Sequence, residues 1–220
     1  EAMVESGAEI ILVPNGSPYY HGKIEKRMNT MVARVIENNV PLVYLNMVGG
    51  QDDQAFDGGS FVLNRGGKLA VQLPMFDSTI AHVDFRRTAE GWEAVEGEKA
   101  RFDSLTGQDY RAMVETLRDY FRKTGFTKCL LGLSGGIDSA IVATIAADAL
   151  GPQNVRCVML PSEYTSQASL DDAQAVVSAL GCKYDTVSIA APRAAVTEAL
   201  APLFAGLPDD LTEENIQSRL

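Results

Sequence analysis

The chain has 220 residues, 46% of them apolar and 22% charged, and 19 basic against 29 acidic side chains leave a formal net charge of −10. That excess of acid argues against a nucleic-acid partner or an anionic membrane surface, both of which draw on clustered Lys and Arg. No apolar run approaches the roughly 20 residues of a membrane span, and no signal peptide opens the chain. Three scattered cysteines (Cys129, Cys157, Cys182) and two histidines (His21, His82) fall short of a structural zinc site, which needs about four ligands close together. A cytoplasmic protein is the expectation. The chain opens on Glu1 and stops at Leu220 inside a helix-like stretch, so it reads as a fragment of something longer.

Taken in chain order, Glu9 to Val13 is a short apolar run closed by Pro14-Asn15-Gly16, a strand and its turn. From Gly22 to Asn39, Ile24, Met28, Met31, Val32, Val35 and Ile36 fall at helical spacing. Pro41 to Val48 reads as a buried strand. Phe61 to Leu63 and Leu69 to Val71 flank Arg65-Gly66-Gly67, a hairpin signal. From Arg86 to Gln108 the pattern dissolves into polar and charged residues around Trp92, read as an edge strand running into a linker. Tyr110, Met113, Val114, Leu117, Tyr120 and Phe121 then make a helical stripe ending at Gly125.

The remainder reads βαβαβ. Strands are expected over Lys128–Leu133, Val155–Leu160 and Tyr184–Ile189. One helix runs from Ser139 to Leu150, and a second starts at Ser169 and Asp172 as a capping box and closes at Gly181. Such alternation argues for a parallel sheet.

Within it, Gly132-Leu133-Ser134-Gly135-Gly136-Ile137-Asp138-Ser139 leaves a strand and enters a helix. Open α/β sheets bind their ligands at such places. Gly135 and Gly136 allow close backbone approach, and the amides that follow face an anion at the helix N-terminus. Ser134 and Ser139 add hydroxyls. The segment is neither a Walker A motif nor GxGxxG, and the double glycine alone fits a plain structural turn equally well. Asp138 favours the ligand reading, because a carboxylate beside bound phosphate needs a bridging cation such as Mg²⁺. Its alternative is a helix-cap or first-turn residue.

The segment SGGIDS resembles the pyrophosphate loop of the N-type ATP pyrophosphatases. Met159-Leu160-Pro161-Ser162-Glu163-Tyr164-Thr165-Ser166, with Asp210-Leu211-Thr212-Glu213-Glu214-Asn215-Ile216-Gln217-Ser218-Arg219, resembles segments of NAD synthetases at similar separation. Upstream, Gly7-Ala8-Glu9, Asn15 to Tyr19, Asn46 to Asp52 and Phe56 to Ser60 resemble the nitrilase-like glutaminase part of the glutamine-dependent members. The resemblance implies a fold in two parts. Residues 1–100 would be the C-terminal part of a nitrilase-like α-β-β-α sandwich with a linker. Residues 101–220 would begin a Rossmann-like synthetase domain of the adenine nucleotide α-hydrolase type.

It also implies ATP-dependent amidation of deamido-NAD to NAD with ammonia from glutamine, through an adenylate, with release of AMP and pyrophosphate. A Glu-Lys-Cys triad would lie before Glu1, so no catalytic triad residue is expected in this chain. Small-molecule substrates and a homo-oligomer are expected. Residues 132–139 would bind ATP, Asp138 would hold Mg²⁺, and Asn215 would contact deamido-NAD. Ser17 and Lys23 match the glutamine-contacting Ser and its basic partner. They read equally as a turn hydroxyl and a solvated helix charge, and Lys26 or Arg27 suits the basic role as well. Another amidating pyrophosphatase, such as a GMP synthetase, or a stand-alone amidase with a nucleotide-binding domain, remains open. The cysteines are expected as small core residues, Asp52, Asp53 and Asp57 as turn residues or a packing face, and both histidines as structural.

Overall fold

The computed structural model describes residues 2–204 and divides into two compact units, residues 1–124 and 125–220. In the first, a short helix α1 (Ala2–Glu5) precedes β1 (Ile11–Asn15), α2 (Lys23–Asn38), β2 (Leu42–Asn46), β3 (Val48–Gln51), β4 (Gln54–Asp57), β5 (Phe61–Asn64) and β6 (Lys68–Gln72). Two further strands, β7 (Phe85–Thr88) and β8 (Gly91–Ala94), lead to helix α3 (Leu105–Thr124).

The main sheet runs β1-β2-β5-β6, with β1 parallel to β2 and the other pairs antiparallel. Side chains alternate across it because successive strand residues point to opposite faces. One face carries Leu42, Tyr44, Phe61 and Leu63 against Val35, Met28, Met31 and Val32 of α2. Tyr44 and Phe61 are register partners on adjacent strands and stack with ring centroids 5.0 Å apart. The opposite face carries Val62 and Val71 against Ala94 of β8, with Ala70 joining them where the β5–β6 register shifts and leaves it unpaired. Helix α2 buries Ile24 and Val35 of its expected apolar face while Ile36 is exposed, and its ends are set by left-handed Gly22 and Asn39.

Three features of this unit depart from the sequence reading. The Gly-rich acidic stretch after β2 is a hairpin of β3 and β4 turned at Asp52-Asp53, with Val48 opposite Asp57 and Gln51 opposite Gln54. The residues read as edge strand and linker form the β7–β8 hairpin. Beyond it the chain runs along the sheet edge, where the Gln72 amide donates to Glu98 O and the Ala100 amide to Gln72 O. In α3 the buried residues are Gln108, Ala112, Val114 and Asp119, whereas Met113 and Tyr120 of the expected stripe are exposed. By compactness α3 belongs with residues 1–124.

The second unit contains β9 (Cys129–Gly132), α4 (Ile137–Leu150), β10 (Val155–Met159), α5 (Gln167–Leu180), β11 (Lys183–Thr186) and α6 (Ala190–Phe204). Its strands form a parallel sheet in the order β11-β10-β9, the expected βαβαβ arrangement. Val155 and Cys157 are fully buried in β10, and Ala143, Ala146 and Ala173 bury on the helices. Helix α5 starts at Gln167, not at Ser169. Its N-cap is Ser166, whose hydroxyl accepts from the Ser169 amide at 3.1 Å, so the cap lies three residues before the expected box. Strand β11 stops at Thr186, and α6 was not anticipated.

Candidate functional site

Two sites were predicted, one in each unit. In the second unit, β9 ends at Gly132, the Leu133 amide still donates to Val158 O at 2.9 Å, and the chain turns into α4. Gly135 sits at φ +81°, and a Cβ there would lie 2.3 Å from the carbonyl oxygen of Ser169 in α5. Only glycine fits, because both the backbone angle and the neighbouring main chain exclude a side chain. Gly136 differs. It caps α4 with φ −79°, and a Cβ there would meet only Ser134 Oγ at 3.4 Å.

Two hydroxyls tie the loop together. Ser139 Oγ accepts from the Ser134 amide at 3.2 Å, donates to Gly136 O at 2.9 Å and lies 3.1 Å from Ser134 Oγ. The amides of Ile137, Asp138 and Ser139 open the first turn of α4, where no earlier helical carbonyl meets them. Asp138 and Ile137 are exposed. A cavity of about 450 Å³ lies at the carboxyl ends of β9 and β10. Gly132, Leu133 and Ser134 line it, with Val158 and Met159 of β10 and Leu160, Tyr164, Thr165 and Ser166 of the segment after it. Arg193 of α6 backs that segment, paired with Glu163 at 2.5 Å and stacked 5.0 Å from the Tyr164 ring. Nothing in the spacing pointed to Arg193.

In the first unit, Ser17 lies in the loop between β1 and α2, and Lys23 is the first residue of α2. Lys23 Nζ sits 4.5 Å from the Tyr20 ring centroid. Arg27 is the buried cation of the region. Its guanidinium pairs with Asp57 at 2.7 and 3.0 Å and donates to Ser17 O at 3.3 Å. Arg27 is therefore committed internally, whereas Lys23 is half-buried and Lys26 exposed. Asp57 is fully buried on Arg27 and Asn46, while Asp52 and Asp53 form the hairpin turn. Of the three, Asp57 is the one tied into the fold, by Arg27 and Asn46. Sequence reasoning missed Arg27, Asn46 and Asp57 as a group, since they come from three separate elements.

Of the three free cysteines, Cys157 is buried as expected, while Cys129 and Cys182 are half-buried. Burial pushes Cys157 up to about 11, and burial likewise raises Cys129 and Cys182, so none is a poised thiolate. His21 pairs with Asp109, His82 is exposed, and Trp92 Nε1 donates to Glu9 at 3.3 Å. A larger cavity, about 810 Å³, lies between α3 and the β3–β4 hairpin and is also lined by Tyr19 of the loop that carries Ser17. Asn215 and the segment 210–219 lie outside the described residues. Among the described residues no helix is long and apolar enough to cross a membrane.

A family model described as carbon-nitrogen hydrolase matches residues 2–92, and one described as NAD synthase matches residues 109–220. The glutamine-dependent NAD(+) synthetase of Rhodobacter capsulatus is 59% identical over 219 residues, all of this chain and 40% of that protein. The protein of the same name from Xylella fastidiosa is 42% identical over 213 residues, covering 97% of this chain and 39% of that protein. The solved glutamine-dependent NAD+ synthetase of Acinetobacter baumannii in complex with adenosine diphosphate superposes with a TM-score of 0.92 at 37% identity, covering 99% of this chain and 41% of that chain. The chain thus spans about two fifths of the length of the relatives it matches. With one family model following the other along the sequence, the chain belongs to the NAD synthase family, its NAD synthase segment preceded by a carbon–nitrogen hydrolase segment.

Proposed function

We propose that this chain is the central segment of a glutamine-dependent NAD synthetase, which amidates deamido-NAD to NAD at the expense of ATP with ammonia released from glutamine. The observation that carries the reading is the Ser134–Ser139 loop. Its Gly135 accepts no side chain, it opens a helix beside the cavity at the carboxyl edge of a parallel sheet, and it is joined in one chain to a carbon–nitrogen hydrolase segment. The ADP bound by the Acinetobacter baumannii relative supports nucleotide binding by this chain.

In this reading the first-turn amides of α4 and the hydroxyls of Ser134 and Ser139 hold the pyrophosphate part of ATP. A carboxylate oxygen of the nicotinate group attacks the α-phosphorus, and pyrophosphate leaves. Ammonia then attacks the activated acyl carbon, the carbon–oxygen bond breaks with its electron pair leaving on AMP, and the new amide nitrogen releases a proton. Developing negative charge on the leaving pyrophosphate falls on oriented amides, the arrangement that lowers such barriers. No side-chain nucleophile from this unit takes part.

Asp138 fits Mg²⁺ by its chemistry, a hard carboxylate oxygen exposed in the first turn of α4. Among the described residues no three His, Cys, Asp or Glu side chains group to hold a metal ion alone. Asp138 therefore suits a cation that shares phosphate oxygens, and Mg²⁺ when bound would neutralise phosphate charge. In the first unit, Ser17 would hydrogen-bond the α-amino or carboxylate group of glutamine and Lys23 would pair with its α-carboxylate. By the family resemblance, Asn215 would contact deamido-NAD.

The experiment is AMP release by the full-length enzyme with ATP and ammonium, comparing deamido-NAD with xanthosine monophosphate. Release with deamido-NAD alone supports the reading. Release with xanthosine monophosphate would make the protein another amidating pyrophosphatase of the GMP synthetase kind, and glutamine hydrolysis without any AMP release would make it a stand-alone amidase.

A further inference from the structure

The parallel ladder of β1 and β2 ends at the pair Asn15 and Asn46, yet the backbone two residues further on remains paired. Asn46 Oδ1 accepts from the Ser17 amide at 2.8 Å, and Asn46 Nδ2 donates to Ser17 O at 3.2 Å. The side-chain amide thus replaces the next ladder residue for Ser17. Its orientation is fixed by its neighbours, because Nδ2 also donates to Asp57 Oδ1 at 3.0 Å, a partner that only accepts. From the other side Arg27 Nη2 donates to the same Ser17 oxygen at 3.3 Å while its fork grips both oxygens of Asp57. Asn46, Arg27 and Asp57 are 6%, 4% and 0% exposed.

A buried ion pair of this kind adds little net stability over an apolar replacement, so its geometry is the more informative property. The pair and the amide clamp the N–H and C=O of one loop residue and leave its hydroxyl out of the network. No hydrogen bond joins Ser17 Oγ to another described residue. A flexible loop would have to order Ser17 each time a ligand bound, whereas a clamped one presents the hydroxyl already oriented.

We propose that Asn46, with Arg27 held on Asp57, is a positioning residue that fixes Ser17 for glutamine. The proposal rests on the reading of Ser17 as a glutamine-binding residue. The test uses the full-length enzyme carrying Asn46→Ala, with Ser17→Ala alongside, and compares KM and kcat for glutamine and for ammonium chloride as nitrogen source. The expected result is a KM for glutamine raised about tenfold or more, with the KM for ammonium shifted by less than about twofold, one lost pair of hydrogen bonds being worth that much. Should Asn46→Ala not fold, Arg27→Lys takes its place, since an ammonium can serve Asp57 but cannot also fork to Ser17 O. The same split is expected for it. An unchanged KM for glutamine in these variants, while Ser17→Ala raises it, would overturn the clamp. So would equal losses with both nitrogen sources, the mark of a fold-wide role. A normal KM in Ser17→Ala would remove the Ser17 reading itself, and the clamp with it.

Discussion

Tyr19 Oη donates to Asp109 Oδ1 at 2.6 Å, joining the loop before α2 to the first turns of α3. His21 Nδ1 lies 2.8 Å from the other oxygen of the same carboxylate. The Tyr19 hydrogen bond first, and His21 second, hold the Asp109 carboxyl below the usual carboxylate range. Burial, and then Asp109, push the Tyr19 phenol well above its ordinary value.

The sign of the acid effect follows from that direction. A carboxyl lowered in the folded state contributes stability above its unfolded value, and the contribution fades as pH falls through the lowered one. NMR titration of Asp109 should therefore give a midpoint below about 3.9, the unperturbed value for Asp. Tyr19→Phe should move that midpoint upward. A midpoint indifferent to Tyr19→Phe would mean that the bond does not persist in solution.

The two glycines of the phosphate loop should behave differently. Gly135→Ala forces a Cβ against the Ser169 carbonyl at a left-handed backbone angle, so ATP-dependent amidation should be lost. Gly136→Ala meets no such clash and should retain measurable activity, with glutamine hydrolysis surviving in both. Steady-state assays of the two variants decide it, and equal loss would show that ligand approach, not packing on α5, sets the glycine requirement.

Asp138→Asn should weaken the Mg²⁺ dependence of ATP turnover while leaving the fold intact, because Asp138 is exposed in the first turn of α4 and Asn is well tolerated near helix starts. The check is a Mg²⁺ titration of the amidation rate. An unshifted titration would leave Asp138 as a first-turn residue with no metal role.

Legibility in the sequence tracked how local the cause was. The α2 helix, the β5–β6 hairpin and the βαβαβ order announced themselves through spacing of 3.6, turn glycines and alternation. The β3–β4 hairpin did not. Gly49 and Gly50 depress strand propensity, and their purpose is remote: the Gly50 amide donates to Asp119 of α3 at 2.9 Å, and a Cβ on Gly50 would press on the Thr116 backbone at 3.3 Å. The α3 stripe misled for a similar reason. Its buried face carries Gln108 and Asp119, polar residues: Gln108 donates to Asp103 O just before the helix, and Asp119 accepts from the remote Gly50 amide. In the site the same rule held. Ser134 to Ser139 could be read from one contiguous stretch, whereas Asn46, Arg27 and Asp57 meet only after folding, and their shared hold on Ser17 left no pattern to find.

Ser17→Ala combined with Lys23→Ala should raise the KM for glutamine by about thirty- to a thousand-fold, the loss of one hydrogen bond and one charged contact being worth roughly 2–4 kcal/mol. The KM for ammonium chloride should stay near that of the unsubstituted enzyme. Equal losses with both nitrogen sources would return the two residues to a turn hydroxyl and a surface charge.

The most direct measurement is the stoichiometry of full-length enzyme turning over deamido-NAD with ATP and either glutamine or ammonium chloride. One AMP and one pyrophosphate should appear for each NAD formed with either nitrogen source, and none without deamido-NAD. ADP and phosphate in their place, or NAD formation independent of ATP, would contradict adenylation at the Ser134–Ser139 loop and with it the proposed function.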